Sequence, residues 1–490
     1  MTSTQASEAT AVRRGGRFYF VATVVAQAAA LLRYVVLARL LGPEQLGLAS
    51  TLVVTAAFFD MISDTGSDRF LIQNRHGDVP AAQKLVQLVY AGRGALIALA
   101  LALAAWPVAT FYKEPRLAHG IMILALSPLI LGLMHLDIRR VQRHLDFRAE
   151  AQSLIGAESV SLIVTTVAAF LTRDFTSILY GLIARAAIIV LISHLRAERP
   201  YRLGFAREHA AQLARFSGPL MANGLLLFLG SQGDRVIVAS RLGVTELGHY
   251  SAVLLLIYYP TGVLIRYVHA MYLPLIAACR DDSPKEALVA DRLAGQTLLL
   301  SVAMASGFAI IAPSAVVILY GQRFAQSAQL VALIGILQTC RYMIVWPTTV
   351  ALSGGHSGSV LAINIVRLLA YPGAVVGGWV IGGLSGVMAG FIAGEAVSLV
   401  AGTIIANRSR SKSMWKDLDR LLLFALVCGF IFGGAASLQR PSLIGVTIII
   451  VGTAGLIAWM TTRERATLAD AVDRLIGSRR VGKARAVHPK

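Results

Sequence analysis

Charged residues are scarce in this chain of 490 residues, where Asp, Glu, Lys and Arg together make up only 14% of the sequence. Hydrophobic residues make up 56%, and the mean hydropathy is +0.67. A water-soluble globule of this composition would have too few polar side chains to cover its surface. The composition therefore excludes a soluble protein and indicates a protein of the lipid bilayer.

Cysteine is also rare, and familiar catalytic motifs are missing. Cys279, Cys340 and Cys428 lie far apart without CxxC spacing, which argues against a disulfide framework or a zinc site. The sequence contains no HExxH and no GxxxxGK followed by Ser or Thr, so it favours neither a zinc hydrolase nor a nucleotide-driven pump. We expect no cofactor, no metal and no enzymatic activity.

Long apolar stretches dominate the chain, and a membrane-spanning helix needs about 20 such residues. The predicted spans are 18–41, 46–63, 85–110, 117–134, 151–171, 175–195, 216–240, 247–265, 293–319, 327–352, 359–381, 384–406, 421–437 and 442–461. Basic residues concentrate on every second connection, whereas the alternate connections hold only Arg39, Lys113, Arg116, Arg173, Arg241, Arg323 and Arg440. The positive-inside rule then places both termini in the cytoplasm. The sequence thus predicts an all-α, polytopic membrane protein with about 14 transmembrane helices.

An internal repeat organises these helices, because residues 38–50 resemble residues 239–251. Each copy is predicted to be the outer turn between the first two helices of a six-helix block. The prediction is two pseudo-symmetric six-helix lobes related by an axis along the membrane normal. The predicted parts are a cytoplasmic tail 1–17, an N-lobe 18–195, a basic linker 196–215, a C-lobe 216–406, a second basic linker 407–420, two C-terminal helices 421–461 and a basic tail 462–490.

Ionisable side chains inside the predicted helices are functional candidates, because a charge at membrane depth costs several kcal/mol unless it is solvated or paired. Arginines outnumber acids in these helices. Arginine stays charged and offers planar, bidentate donors that match phosphate oxygens, so the surplus favours a phosphate or pyrophosphate ligand. Pairing with nearby acids or snorkelling to the interface is the alternative. Arg93 and Arg185 are predicted to snorkel.

The candidate residues fall into two groups. The substrate-binding candidates are Arg33, Arg235, Arg341, Arg367, Asn223 and Asn364. The ion-coupling or gating candidates are Asp60, Glu158, Asp234 and Glu395. For the asparagines, a helix-bridging role is the alternative. Arg33 and Asp234 occupy equivalent positions in the two predicted lobes, which makes them a candidate pair or a shared cavity lining.

Several short stretches carry a family resemblance. In the first half these are residues 37–47, 64–66 and 71–73, and in the second half residues 233–235, 242–243, 247–250 and 273–274. They resemble the signature of bacterial polysaccharide transporters, the O-antigen-type oligosaccharide flippases of the multidrug/oligosaccharidyl-lipid/polysaccharide exporter superfamily. The resemblance covers most of residues 15–460.

The resemblance implies a V-shaped pair of six-helix bundles around a central cationic cavity. Such a protein moves an undecaprenyl-diphosphate-linked oligosaccharide from the cytoplasmic to the outer leaflet of the bacterial inner membrane by alternating access. The implied partners are this lipid-linked substrate, membrane lipids and, as further candidates, other polysaccharide assembly proteins. A nucleic-acid partner is not expected, because no soluble basic face with interleaved aromatic residues exists outside the predicted helices.

Three other functions stay open from the sequence. The chain could transport lipid II or drugs, like other members of the superfamily, although drug or cation extrusion favours an acid-rich cavity. A membrane enzyme that polymerises sugar chains would need a large outer loop, and the predicted outer connections are only a few residues long. A scaffold of a polysaccharide assembly complex would need no transport site at all.

Overall fold

The computed structural model describes residues 3–74, 77–143, 146–279, 283–354, 357–408 and 415–437. Every regular element within these residues is helical, which confirms the predicted all-α class. The α-helices in chain order are α1 Ser3–Leu41, α2 Pro43–Ile62, α3 Ser67–Gln73, α4 Pro80–Phe111, α5 Arg116–Leu124, α6 Leu126–Leu131, α7 Asp137–Arg143, α8 Arg148–Thr172, α9 Ser177–Leu195, α10 Arg207–Leu242, α11 Val244–Ala278, α12 Ser283–Tyr320, α13 Ala328–Met343, α14 Val345–Ser353, α15 Ser357–Arg367, α16 Ala370–Val380, α17 Gly383–Arg408 and α18 Trp415–Ser437.

Twelve helical segments of the described residues are long and apolar enough to cross a membrane. They overlap twelve of the predicted spans, so the prediction of a polytopic membrane protein is confirmed. The last predicted span, 442–461, and the tail 462–490 lie outside the described residues. The total of fourteen therefore stays a prediction.

The fourth predicted span, 117–134, is not one continuous helix. The structure divides it into α5 and α6, which together reach only from Arg116 to Leu131. The break at Ala125 lies three residues before Pro128, whose ring nitrogen has no hydrogen to donate to the carbonyl of Leu124. The sequence did not predict this break because hydropathy does not register a missing backbone hydrogen bond, and the membrane crossing of this segment stays a prediction.

Proline also coincides with two further breaks. α13 gives way to α14 at Ile344, three residues before Pro347. α15 and α16 are separated shortly before Pro372. Both pairs still form single apolar segments that are long enough to span a membrane, 328–353 and 358–380. These breaks free backbone carbonyls in mid-span, where neighbouring helices or water must satisfy them.

The chain divides into two compact units. Unit 1 comprises Met1–Leu255 and Val317–Phe324, and unit 2 comprises Leu256–Val316 and Ala325–Lys490. In unit 1 α8 packs on both α1 and α9, and α2 packs on α10. Unit 2 has a large apolar core to which α11, α12, α13 and α18 contribute buried side chains. The two six-helix lobes and their linkers remain a prediction.

The two copies of the internal repeat contact each other inside unit 1. Each copy is a tight turn between two long helices, and Gly42 and Gly243 occupy it with φ of 85° and 95°, a backbone conformation that favours glycine. A Cβ built on Gly47 would lie 1.7 Å from the carbonyl oxygen of Val244. A Cβ built on Gly248 would lie 1.9 Å from that of Pro43. The contact is reciprocal, so α2 and α11 approach backbone to backbone at their first turns.

Small residues also allow a close helix pair in unit 2. α16 and α17 approach through Gly373, Gly377, Gly386 and Gly390. A Cβ on Gly390 would lie 2.0 Å from the carbonyl oxygen of Gly373. Such approach gains van der Waals contact, which drives helix association where lipid removes the hydrophobic effect. The pair carries Arg367 and Glu395 on adjoining segments, so this packing helps to set their separation.

A charged network in unit 1 joins α4, α7 and the segment after α9 around the fully buried Asp137. Its carboxylate accepts hydrogen bonds from Arg140 Nε at 2.7 Å and from the backbone N–H of Glu198 at 2.8 Å. Gln83 Nε2 donates to it at 3.3 Å. Burial raises the pKa of Asp137, but these hydrogen bonds and the Arg140 charge outweigh burial and hold that pKa below its ordinary value. Asp137 therefore stays ionised and ties the start of α7 to α4 and to the segment after α9.

Candidate functional site

Three charged side chains, one each from α1, α8 and α9, meet in unit 1 within the apolar segments 18–41, 148–172 and 177–195. Arg33 Nη1 lies 3.1 Å from Glu158 Oε2, and Arg185 Nε lies 2.6 Å from Glu158 Oε1. Arg33 Nη1 also donates to the hydroxyl of Ser161 at 2.5 Å. Arg33 and Glu158 are buried, whereas about a third of the Arg185 side chain, 34%, is exposed. We call Arg33, Glu158 and Arg185 the unit 1 cluster.

A second set of the same composition lies in unit 2, on α13, α15 and α17. Glu395 is 1% exposed, and its Oε1 accepts a hydrogen bond from Arg341 Nε at 3.0 Å. Arg367 Nε lies 2.8 Å from both Glu395 oxygens, and Arg367 Nη2 lies 2.8 Å from Oε1. We call Arg341, Glu395 and Arg367 the unit 2 cluster. Each glutamate is thus shared by two arginines that come from two different helices.

Both clusters hold a positive charge surplus in a setting of low polarity. Two guanidinium groups and one carboxylate sum to one positive charge in each cluster. Attraction to the glutamate offsets the cost of burying the first arginine, and the second arginine is compensated only in part. Such a surplus favours an additional anion as a ligand.

The buried pair Asp234 and Arg235 belongs to another network of unit 1. Asp234 is fully buried and accepts a hydrogen bond from Tyr250 Oη at 2.6 Å and one from the backbone N–H of Arg235 at 2.8 Å. Arg235 Nη1 donates to Gln232 Oε1 at 2.8 Å. Arg33 and Asp234, predicted as a pair or a shared lining, therefore have different hydrogen-bond partners in the structure.

The remaining predicted residues lie apart from the clusters. The Asp60 side chain is 62% exposed near the end of α2, and Arg93 Nη2 donates to its Oδ1 at 2.5 Å. Asn223 and Asn364 are half-buried, and neither side chain makes a hydrogen bond to any residue that the structure describes. Their predicted roles in binding and coupling stay predictions.

The sequence did not predict that Arg185 and Ser161 belong to the unit 1 site. The sequence predicts snorkelling for Arg185, but its guanidinium bonds Glu158 near the middle of α9. Ser161 is not singled out by the sequence interpretation. A signal exists, because the stretch 158–162, Glu-Ser-Val-Ser-Leu, recurs as Glu-Ala-Val-Ser-Leu at 395–399. The recurrence marks the two helices that carry the shared glutamates, on a spacing different from that of the turn repeat.

Comparison with known proteins connects this geometry to a family and a fold. A family described as "Polysaccharide biosynthesis protein" matches residues 36–329. The chain is 27% identical to the succinoglycan biosynthesis transport protein ExoT of Rhizobium meliloti (strain 1021), over 81% of each chain. It is 22% identical to the lipopolysaccharide biosynthesis protein WzxC of Escherichia coli (strain K12), over 79% of each chain.

Solved structures share the fold at low sequence identity. The lipid II flippase MurJ in an inward closed conformation superposes with a TM-score of 0.64 and 11% identity, covering 92% of this chain and 99% of that chain. An inward-facing multidrug resistance MATE family transporter superposes with a TM-score of 0.56 and 12% identity, covering 80% and 94%. These likenesses confirm the predicted fold, an all-α bundle of many apolar helices.

Proposed function

We propose that this chain, which belongs to the polysaccharide biosynthesis protein family, is a flippase that moves a lipid-linked oligosaccharide across the membrane. The substrate class is a polyprenyl diphosphate that carries a short sugar chain. Transport runs from the cytoplasmic to the outer leaflet by alternating access, for the biosynthesis of a surface polysaccharide. The names of the similar proteins, a succinoglycan transport protein and a lipopolysaccharide biosynthesis protein, support this proposal.

One observation carries the proposal: in each unit two arginines share a single buried glutamate within helices that are apolar and long enough to span a membrane. Arginine cannot lose its proton in a protein, so the positive surplus persists whatever the local polarity. A diphosphate linker carries permanent negative charge and several oxygens that match guanidinium geometry. The sugar and the linker require a polar path, whereas the polyprenyl chain is as apolar as the bilayer.

The proposal includes a location and an orientation. The protein acts in the bacterial inner membrane, with both termini in the cytoplasm, and the supporting observation is the concentration of Lys and Arg on alternate connections. The two six-helix lobes provide the alternating access. Proteins of polysaccharide assembly are further proposed partners. The similar proteins are transporters by name or fold, which supports a function without catalysis.

Reconstitution tests the proposal directly. The purified chain is placed in liposomes whose inner leaflet carries undecaprenyl diphosphate linked to a fluorescent saccharide, and appearance of the label in the outer leaflet is measured. We expect movement above the rate of protein-free liposomes. Arg33→Glu, Arg341→Glu and Arg367→Glu are each expected to abolish it. Arg241→Glu, an exposed position at the end of α10, serves as the matched charge-reversal control.

Two results would contradict the proposal. If the wild-type protein moved no diphosphate lipid but exported cationic drugs, the multidrug alternative would replace it. If it moved neither, the scaffold alternative would gain support. Normal transport in all three charge-reversal variants, at membrane levels equal to wild type, would remove the arginines from the transport site.

A further inference from the structure

The unit 1 cluster has hydrogen-bond donors that nothing in the described part of the chain accepts. Arg33 is 6% exposed, and its Nη1 serves both Glu158 and Ser161. Its Nε is buried and has no acceptor among the described residues. A buried donor without a partner costs about 1–3 kcal/mol and needs an explanation in a native structure. Arg33 can therefore donate a hydrogen bond to one more acceptor in addition to Glu158 and Ser161.

Arg185 supplies the exposed side of the same cluster. Only its Nε is bonded to Glu158, and neither Nη1 nor Nη2 has an acceptor within the residues that the structure describes. With a third of its side chain exposed, Arg185 presents the fork of its guanidinium at the surface of unit 1. An anion that arrives at this surface meets Arg185 first and Arg33, behind it, second.

Glu158 occupies the position in which an anionic ligand would sit. One carboxylate oxygen faces each arginine, at 3.1 Å from Arg33 and 2.6 Å from Arg185. A phosphate group offers the same arginines at least as many oxygens and an equal or greater negative charge. Because Glu158 is attached to α8, it is always present as a competitor for both guanidinium groups.

We propose that Glu158 is a tethered competitor that exchanges with a phosphate group of the substrate on Arg33 and Arg185. In the empty protein Glu158 holds both arginines. In the loaded protein the phosphate takes their donors, including Arg33 Nε, and Glu158 withdraws. On release Glu158 returns and displaces the phosphate. This inference rests on the proposed function and assigns Glu158 to substrate exchange, as an alternative to ion coupling.

The exchange explains why a transporter would keep an acid between its binding arginines. Two arginines without an opposing acid would hold a diphosphate tightly in every state, which would slow its release. A competitor reduces the apparent affinity in proportion to the fraction of protein molecules whose site is free. If Glu158 holds the arginines in about nine tenths of the empty protein molecules, the apparent affinity for the substrate falls about tenfold. Removing the competitor should therefore tighten binding and slow turnover.

The test compares Glu158→Gln with wild type in the full-length protein. The probe is undecaprenyl diphosphate linked to a fluorescent N-acetylglucosamine, and binding is measured at equilibrium in lipid nanodiscs. We expect the variant to bind about tenfold more tightly than wild type, to release the probe more slowly, and to move it in liposomes at a rate reduced by a similar factor. Glu114→Gln is the matched control, since Glu114 pairs with Arg116 in a connection outside the spans.

A second variant guards against misfolding and against a simple effect of net charge. Glu158→Gln with Arg185→Gln restores the net charge of the cluster but removes one phosphate-binding arginine, so it should lose the gain in affinity. Added inorganic pyrophosphate should raise the melting temperature of Glu158→Gln more than that of wild type, because it replaces the missing anion. This thermal readout requires no transport and remains informative if the variant is less stable.

The outcomes separate the two proposals. If wild type moves the probe but Glu158→Gln binds it no more tightly and gains no extra stabilisation from pyrophosphate, the exchange is refuted and the flippase proposal stands. If the double variant binds as tightly as Glu158→Gln, the gain does not require both arginines and the exchange is refuted as well. If wild type neither binds nor moves the diphosphate lipid, both proposals fail.

Discussion

Gly47→Ala tests the close contact between α2 and α11 in unit 1. The methyl group would lie 1.7 Å from the carbonyl oxygen of Val244, and real Cβ atoms are essentially never found closer than 3.0 Å to another heavy atom. Because the obstacle is backbone, no side-chain rotation can relieve it. The first turns of α2 and α11 would have to separate by more than 1 Å, and the contacts around Gly47 and Gly248 would open.

The size and the sign of the effect follow from this geometry. Overpacking a close contact costs about 1–3 kcal/mol, and a rigid backbone obstacle favours the upper end of that range. Replacing glycine by alanine in a helix gains about 0.5–1 kcal/mol where there is space. Gly92 in α4 has no heavy atom within 4 Å of a built Cβ, so Gly92→Ala should stabilise the protein. The two substitutions are the same in chemistry and should differ in sign.

The assay is unfolding of the purified protein in detergent micelles by increasing fractions of SDS, followed by tryptophan fluorescence. Gly47→Ala should unfold at a lower SDS fraction than wild type, and Gly92→Ala at an equal or higher one. The double variant Gly47→Ala with Gly248→Ala should lose less than the sum of the two single losses, because one separation of the helices accommodates both methyl groups. Wild-type stability of Gly47→Ala, or additive losses in the double variant, would refute the reciprocal contact.

Three further substitutions have defined outcomes. Glu395→Gln should destabilise unit 2 by about 3–5 kcal/mol in the same unfolding assay, because it removes the buried carboxylate that Arg341 and Arg367 share, and Arg367→Gln on that background should recover part of the loss. Asp137→Asn should cost about 2 kcal/mol at neutral pH, because it removes the charge that Arg140 and two backbone N–H groups bind. The pKa of Asp137 is lower in the folded state than in the unfolded state. Its stabilisation is therefore present above the unfolded pKa of about 3.9 and fades as the pH falls through the folded value. If the difference in stability between Asp137→Asn and wild type stayed constant down to about pH 2, the assignment would be contradicted. Gly390→Ala should weaken the α16–α17 pair, whereas Gly429→Ala, with open space around it, should not.

The periodic and compositional signals predicted the fold class well. Uninterrupted apolar segments marked twelve spans that the structure contains, because a bilayer requires each crossing to satisfy its own backbone hydrogen bonds. The turn repeat was also readable, since Gly42 and Gly243 satisfy a local requirement for positive φ. The contact that requires Gly47 and Gly248 was not readable, because it joins two segments distant in the chain. The break in the fourth predicted span was not readable because a single proline changes hydrogen bonding without changing hydropathy.

The candidate site was only partly readable from the sequence. Arg33, Glu158, Arg341, Arg367 and Glu395 were identified as unusual because a charge in an apolar helix is rare for a physical reason that applies to each residue separately. Their grouping into two clusters was not readable. Arg185 was predicted to snorkel, because the sequence does not show which acid it meets in the folded chain.

Composition, hydropathy and charge bias were enough to establish a polytopic helical membrane protein, because solvation by lipid acts on each segment of the chain independently. The pairing of each glutamate with two arginines depended on tertiary structure, since those side chains lie 27 to 125 residues apart in the chain. Packing of three helices brings them within hydrogen-bond distance, and their shared charge then belongs to the cluster and to no single residue. The proposed anion site depends on that grouping, which tertiary structure alone provides.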